Sequence, residues 1–113
     1  MKHSSIALLL LAIAPSVAWA QSGNAAAARA VNSACIGCHS IPGYKASFPQ
    51  VYSVPMISGQ TAEYIQAALQ AYKRGERNHP TMTAIAQGLT DQQIADLAAY
   101  YAERSRTAAV AAK

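Results

Sequence analysis

Five consecutive residues, Cys35-Ile36-Gly37-Cys38-His39, constrain this chain more than any other feature. Two thiols three positions apart on a helix share one face. The next residue projects an imidazole beside them, and Gly37 leaves the backbone open to close approach. The chain has 113 residues and two cysteines, so it cannot be a multi-bridge disulfide scaffold. The pair must act together: close one bridge, bind a metal, run dithiol chemistry or carry a covalently attached group.

The N-terminus narrows that choice. Met1 and Lys2 open a basic start, residues 6–14 are apolar, Pro15 interrupts the run, and Ala18-Trp19-Ala20 supplies an A-x-A cleavage site. These are the parts of a secretory signal peptide. We expect residues 1–20 to be removed and residues 21–113 to form a single periplasmic domain. No cysteine stands at the cut to take a lipid anchor, and no apolar run approaches the roughly 18 residues that span a bilayer. Removing 20 residues from 113 leaves 93, with one Phe and no Trp, and the loss of Lys2 takes the formal net charge from +4 to +3. So small a core is expected to need something besides side chains at its centre.

Hydrophobic periodicity points to an all-α fold. Residues 24–33 are rich in alanine and read as a first helix running into the cysteines. Residues 40–60, with Pro42, Gly43, Pro49, Pro55 and Gly59, read as one long loop of the kind that wraps a functional site. From Thr61 a helix places Tyr64, Ile65, Ala68, Leu69 and Tyr72 on one face, with Lys73 and Arg74 in its last turn and Gly75 ending it. Residues 76–81 read as polar loop, and residues 83–87 as one or two helical turns before Gly88. Thr90 and Gln93 form a capping box, Leu89 and Ile94 a hydrophobic staple, and Ile94, Leu97, Ala98 and Tyr101 the buried stripe of a last helix. Arg104 and Arg106 lie near its end, and the alanine-rich tail after Thr107 reads as frayed. No strand alternation and no internal repeat occurs.

In an exported protein C-x-x-C-H is the attachment signature of a c-type haem. Cys35 and Cys38 would hold the two vinyl groups as thioethers, and His39 would ligate the iron. A thioredoxin-like pair needs a βαβ unit that the pattern lacks. A zinc site would need adjacent Cys38 and His39 to reach one ion with Cys35 and the lone His79. A Cys35–Cys38 disulfide would close a tiny strained loop. For the sixth iron position the candidates are Met56, His79 and Met82. Met82 is preferred, because it stands at a loop end, far enough beyond His39 for the chain to round the porphyrin edge.

Taken together, these residues resemble the small bacterial class I c-type cytochromes. The resemblance rests on residues 35–39, on Pro55-Met56-Ile57-Ser58-Gly59-Gln60, on Met82-Thr83-Ala84-Ile85-Ala86 and on residues 89–101. It implies helices wrapped around one covalent haem c, with Cys35 and Cys38 attaching it, His39 proximal and Met82 distal. It also places Met56 at a variable position of its run. The family's first and last helices cross at a glycine and an aromatic, matched here by Ala27 and Val31, with Tyr100 and Tyr101 available to compensate. A proline carbonyl steadies the proximal histidine, and Pro49 and Pro55 both qualify. Tyr64, Leu69, Ile85, Leu97 and Tyr101 are candidates to pack on the haem.

The function implied is one-electron transfer without enzymatic turnover, as a carrier or an electron-entry subunit. Redox proteins are the expected partners: an oxidase, a dehydrogenase or a quinol-linked complex. The alternative is a peroxidase-like enzyme or ligand sensor with a displaceable sixth ligand, for which His79 is the available acid–base group. Lys73, Arg74 and Arg77 either steer an acidic partner or satisfy a helix end. Nothing points to nucleic acid.

Overall fold

A computed structural model describes residues 22–46 and 52–111, with side chains of the last helix through Arg104. The expected signal peptide, Pro49 and the side chain of Arg106 lie outside the described residues. The order of elements is a 3₁₀ turn (Ala27–Ala30), α1 (Ser33–His39), β1 (Lys45–Ala46), β2 (Tyr52–Ser53), α2 (Ala62–Lys73), α3 (Pro80–Gln87) and α4 (Asp91–Ala111).

The ends of α2 and the start of α4 follow from local chemistry. Thr61 caps α2 by accepting the Tyr64 N–H through its hydroxyl at 3.2 Å. At the other end Gly75 adopts φ +75°. Its N–H reaches the Tyr72 carbonyl at 3.1 Å, and the Glu76 N–H reaches Ala71 at 2.8 Å. This is a Schellman cap, and its left-handed residue favours glycine. The capping box at α4 is reciprocal: Gln93 N–H donates to Thr90 Oγ1 at 3.1 Å, and Thr90 N–H donates to Gln93 Oε1 at 2.8 Å. Leu89 and Ile94 are both buried beside it.

Helix α2 packs on both α3 and α4. Ile65 and Leu69 face Ile94, Leu97, Ala98 and Tyr101, and each buried side chain of this size contributes about 1.5–3 kcal/mol. Lys73 ties α2 to the start of α4, donating to the Leu89 carbonyl at 2.8 Å and to Asp91 Oδ1 at 2.9 Å.

The N-terminal segment departs from the expected continuous helix over residues 24–33. It makes only the short 3₁₀ turn, and α1 starts afresh after Asn32. Polar anchors to α4 account for the break. Asn24 N–H donates to Asp96 Oδ1 at 2.7 Å, and Asn32 Oδ1 accepts from the Tyr101 hydroxyl at 2.6 Å. The crossing with α4 is therefore made by fully buried Ala28 and by Asn32, whereas Ala27 is exposed. Val31 packs only partly against the core. A close approach also occurs earlier in the chain, where a Cβ on Gly23 would run into the Ala95 carbonyl oxygen.

Three further expectations change. The segment read as a loop over residues 40–60 contains the antiparallel pair Lys45↔Ser53 and Ala46↔Tyr52, so the described residues are mostly helical with one minimal two-stranded sheet. Two residues per strand are too few to show alternation. Helix α3 begins at Pro80, inside the segment read as polar loop, because proline suits the first helical position. Helix α4 continues to Ala111 rather than fraying after Thr107. No helix among the described residues is long and apolar enough to cross a membrane.

Candidate functional site

One cavity of about 390 Å³ collects the chemistry-bearing residues of the chain. Cys35, Cys38 and His39 enter it from α1, Met82 and Ile85 from α3, Leu69 from α2 and Tyr101 from α4. Its wall is otherwise largely apolar. All five residues expected to pack on a cofactor, Tyr64, Leu69, Ile85, Leu97 and Tyr101, line it. Met56 and His79, the competing candidates for the sixth ligand, line it too.

Helix α1 is short, and its start is fixed by Asn32, whose carbonyl accepts the Cys35 and Ile36 N–H groups at 2.9 and 3.0 Å. One turn then carries both thiols and the imidazole. Cys35 is buried, Cys38 is exposed, and they are not bonded to each other. Burial pushes the Cys35 thiol above its ordinary pKa, and the neighbouring Cys38 adds to the effect. A redox-active dithiol depends on a depressed value, so the environment opposes that chemistry. A Cβ on Gly37 would meet no protein atom within 4 Å. Packing within the chain therefore does not call for glycine there, which is consistent with a group lying close to the α1 backbone.

His39 is 9% exposed, and its Nδ1 lies 2.6 Å from the Pro55 carbonyl oxygen. A carbonyl can only accept, so Nδ1 donates this hydrogen bond, and Nε2 is the ring nitrogen left to face a metal. Pro55, one of the two prolines expected to support His39, makes this contact, and Pro49 lies outside the described residues. The sequence showed two candidates but could not choose, because the contact joins residues 16 apart across a loop. Met82 sits in the first turn of α3, half-buried against the core. Its N–H donates to His79 Nδ1 at 3.4 Å. His79 therefore acts in the opposite sense, with the proton on Nε2 and the Nδ1 lone pair directed at a backbone amide.

Among the described residues, no three His, Cys, Asp or Glu side chains approach closely enough to hold a metal ion together. The zinc alternative thus lacks its donor set. The donors that are present, a thiol pair, an imidazole whose Nδ1 is held by a carbonyl, a soft thioether and an apolar wall, suit a covalently held iron porphyrin.

The basic residues at the end of α2 are largely engaged within the chain. Lys73 pairs with Asp91, Arg74 pairs with Glu76 at 2.7 Å, and the Arg77 guanidinium lies over the Tyr72 ring at 4.7 Å. Their geometry fits a satisfied helix end better than a free cationic patch.

Comparison with known proteins agrees with this site. A sequence model of the family described as Cytochrome c matches residues 24–103. Cytochrome c-554(548) of Halomonas halodenitrificans is 39% identical over 85 residues, which cover 73% of this chain and 98% of that protein. Cytochrome c4 of Thiocapsa roseopersicina is 40% identical over 96 residues, 85% of this chain but 45% of its own length. The cytochrome subunit of sulfide dehydrogenase from Chlorobaculum tepidum is 35% identical over 72 residues, 64% of this chain and 61% of that one. The chain thus spans nearly the whole of the first relative and under half of the second. Since the family match runs from the 3₁₀ turn to the crossing on α4 and encloses every wall of the cavity, the chain belongs to the cytochrome c family and is a helical electron-transfer protein carrying covalent haem c.

Proposed function

We propose that this protein is an exported, non-enzymatic electron carrier, with its haem c attached through Cys35 and Cys38 and ligated by His39 and Met82. When bound, the haem supplies reversible one-electron transfer between two iron oxidation states. The single observation that carries the ligand assignment is the contrast between the two histidines' Nδ1 contacts, a carbonyl oxygen for His39 and a backbone amide for His79. Donation from His39 Nδ1 to Pro55 leaves Nε2 available to a metal and fixes the ring's orientation. Acceptance by His79 Nδ1 leaves only a protonated Nε2, which favours the Met82 thioether over His79. Met56 also lines the cavity but is largely exposed, whereas Met82 packs against the core, which favours Met82 of the two methionines.

Two protein ligands would leave no position on the iron for substrate, and the largely apolar wall would limit water and lower the local dielectric around the bound group. The same tautomer of His79 argues against a peroxidase-like role, because its basic nitrogen is committed to the Met82 amide. Export to the periplasm by cleavage after Ala20 leaves residues 21–113 as the working domain. Redox proteins are its partners, and the relative that is a subunit of sulfide dehydrogenase makes a dehydrogenase a fitting one among them.

The test is reactivity of the reduced protein with carbon monoxide and of the oxidised protein with peroxide. A carrier with both axial positions filled binds carbon monoxide slowly or not at all and shows negligible peroxide turnover. Rapid formation of a carbon monoxide complex at neutral pH contradicts the assignment.

A further inference from the structure

We propose that His79 is a positioning residue for Met82: its imidazole caps α3 and holds the turn that presents the thioether. The inference rests on the reading of Met82 as distal ligand. Helix α3 opens on Pro80, which lacks an N–H, so the Met82 amide is the third position of the helix and one of its orphan donors. His79 supplies the acceptor through Nδ1 at 3.4 Å. Its backbone is extended, at φ −157° and ψ 109°, as an N-cap requires, and its carbonyl accepts the Thr83 N–H at 2.9 Å.

Serine, threonine, aspartate and asparagine fill this role more often. An imidazole adds a ring that can be held from the side. The Tyr52 ring stands edge-on to His79, with centroids 4.9 Å apart and planes at 62°. Tyr52 belongs to β2, and three residues further along the same segment the Pro55 carbonyl accepts from His39. One short stretch, residues 52–55, thereby contacts the rings of both histidines. The chain of contacts runs from Tyr52 to His79 and from His79 to the Met82 amide. It restrains the first turn of α3 against swinging away from the cavity.

Exogenous imidazole reaches the iron only when Met82 moves out, so its apparent affinity reads the population of the open turn. His79→Ala in the haem-loaded protein is expected to raise imidazole affinity by about fivefold, the factor that corresponds to a typical lost cap. His79→Asn restores a cap acceptor and is expected to return within about twofold of wild type. Hydrogen exchange at the Met82 amide supplies a readout that does not depend on ligand competition: it is expected to be protected in wild type and to accelerate in His79→Ala. Unchanged imidazole affinity in His79→Ala, failure of His79→Asn to rescue, or an unprotected Met82 amide in wild type overturns the proposal. A wild-type protein without a methionine–iron band overturns the reading of Met82 and this proposal with it. An intact band that His79→Ala leaves equally resistant to imidazole overturns this proposal alone.

Discussion

His39 and His79 show how one side chain takes opposite roles according to what its Nδ1 meets. A carbonyl at 2.6 Å makes it a donor, and a backbone amide at 3.4 Å makes it an acceptor. The same logic governs the buried Tyr101–Asn32 contact. Burial raises the Tyr101 hydroxyl well above its ordinary pKa, so it remains a donor throughout the accessible pH range. Tyr101→Phe would leave the Asn32 amide oxygen buried and unpaired, at a cost of about 1–3 kcal/mol. Guanidinium unfolding of the haem-loaded variant is expected to show that loss as a lower midpoint. An unchanged midpoint would mean that the contact contributes nothing to the crossing.

Elements whose ends are set by adjacent residues are legible in the sequence. The capping box of α4, its Leu89–Ile94 staple and the glycine stop of α2 all depend on spacings within one turn. What escaped depends on distant partners. The break between the 3₁₀ turn and α1 follows from bonds to Asp96 and Tyr101, contacts that outweigh the helix propensity of an alanine-rich run. The choice of Pro55 and the role of Ala28 in place of Ala27 are likewise set by packing across the molecule. His79 as a cap was missed for a different reason, since histidine is not a residue that marks helix starts. Within the site, the C-x-x-C-H motif and the Met82 run were visible, but the two Nδ1 contacts that separate His39 from His79 were not.

The tie between α2 and α4 carries a pH signature. Hydrogen bonds from Lys73 and then Gln70, with the Lys73 charge, hold the Asp91 carboxyl below its ordinary value of 3.8. A carboxyl lowered on folding adds stability above its unfolded pKa and loses it as pH falls through the folded one. The difference in thermal midpoint between wild type and Asp91→Asn is therefore expected at pH 6 and to shrink as pH falls below 3.8 and through the lowered folded value. Because Asp91 is exposed, the difference is small, and one that grew on acidification would contradict the assignment.

At the scale of the whole molecule, α1, α2, α3 and α4 all contribute side chains to one cavity, so what fills it bears on the packing of every helix. The Cys35→Ala/Cys38→Ala protein, unable to retain a covalent group, is accordingly expected to lack a cooperative unfolding transition and most of its helical circular dichroism. A fully helical, cooperatively unfolding apoprotein would show that the helices form their own core. On the proposed assignment, His39 and Met82 would tie the cofactor to α1 and to α3. Visible spectra of oxidised and reduced wild type and Met82→Ala test that claim most directly. The account predicts low-spin covalent haem with a methionine–iron charge-transfer band in wild type, and loss of that band in the variant. A high-spin wild type, or a variant whose low-spin spectrum is unchanged, would contradict it.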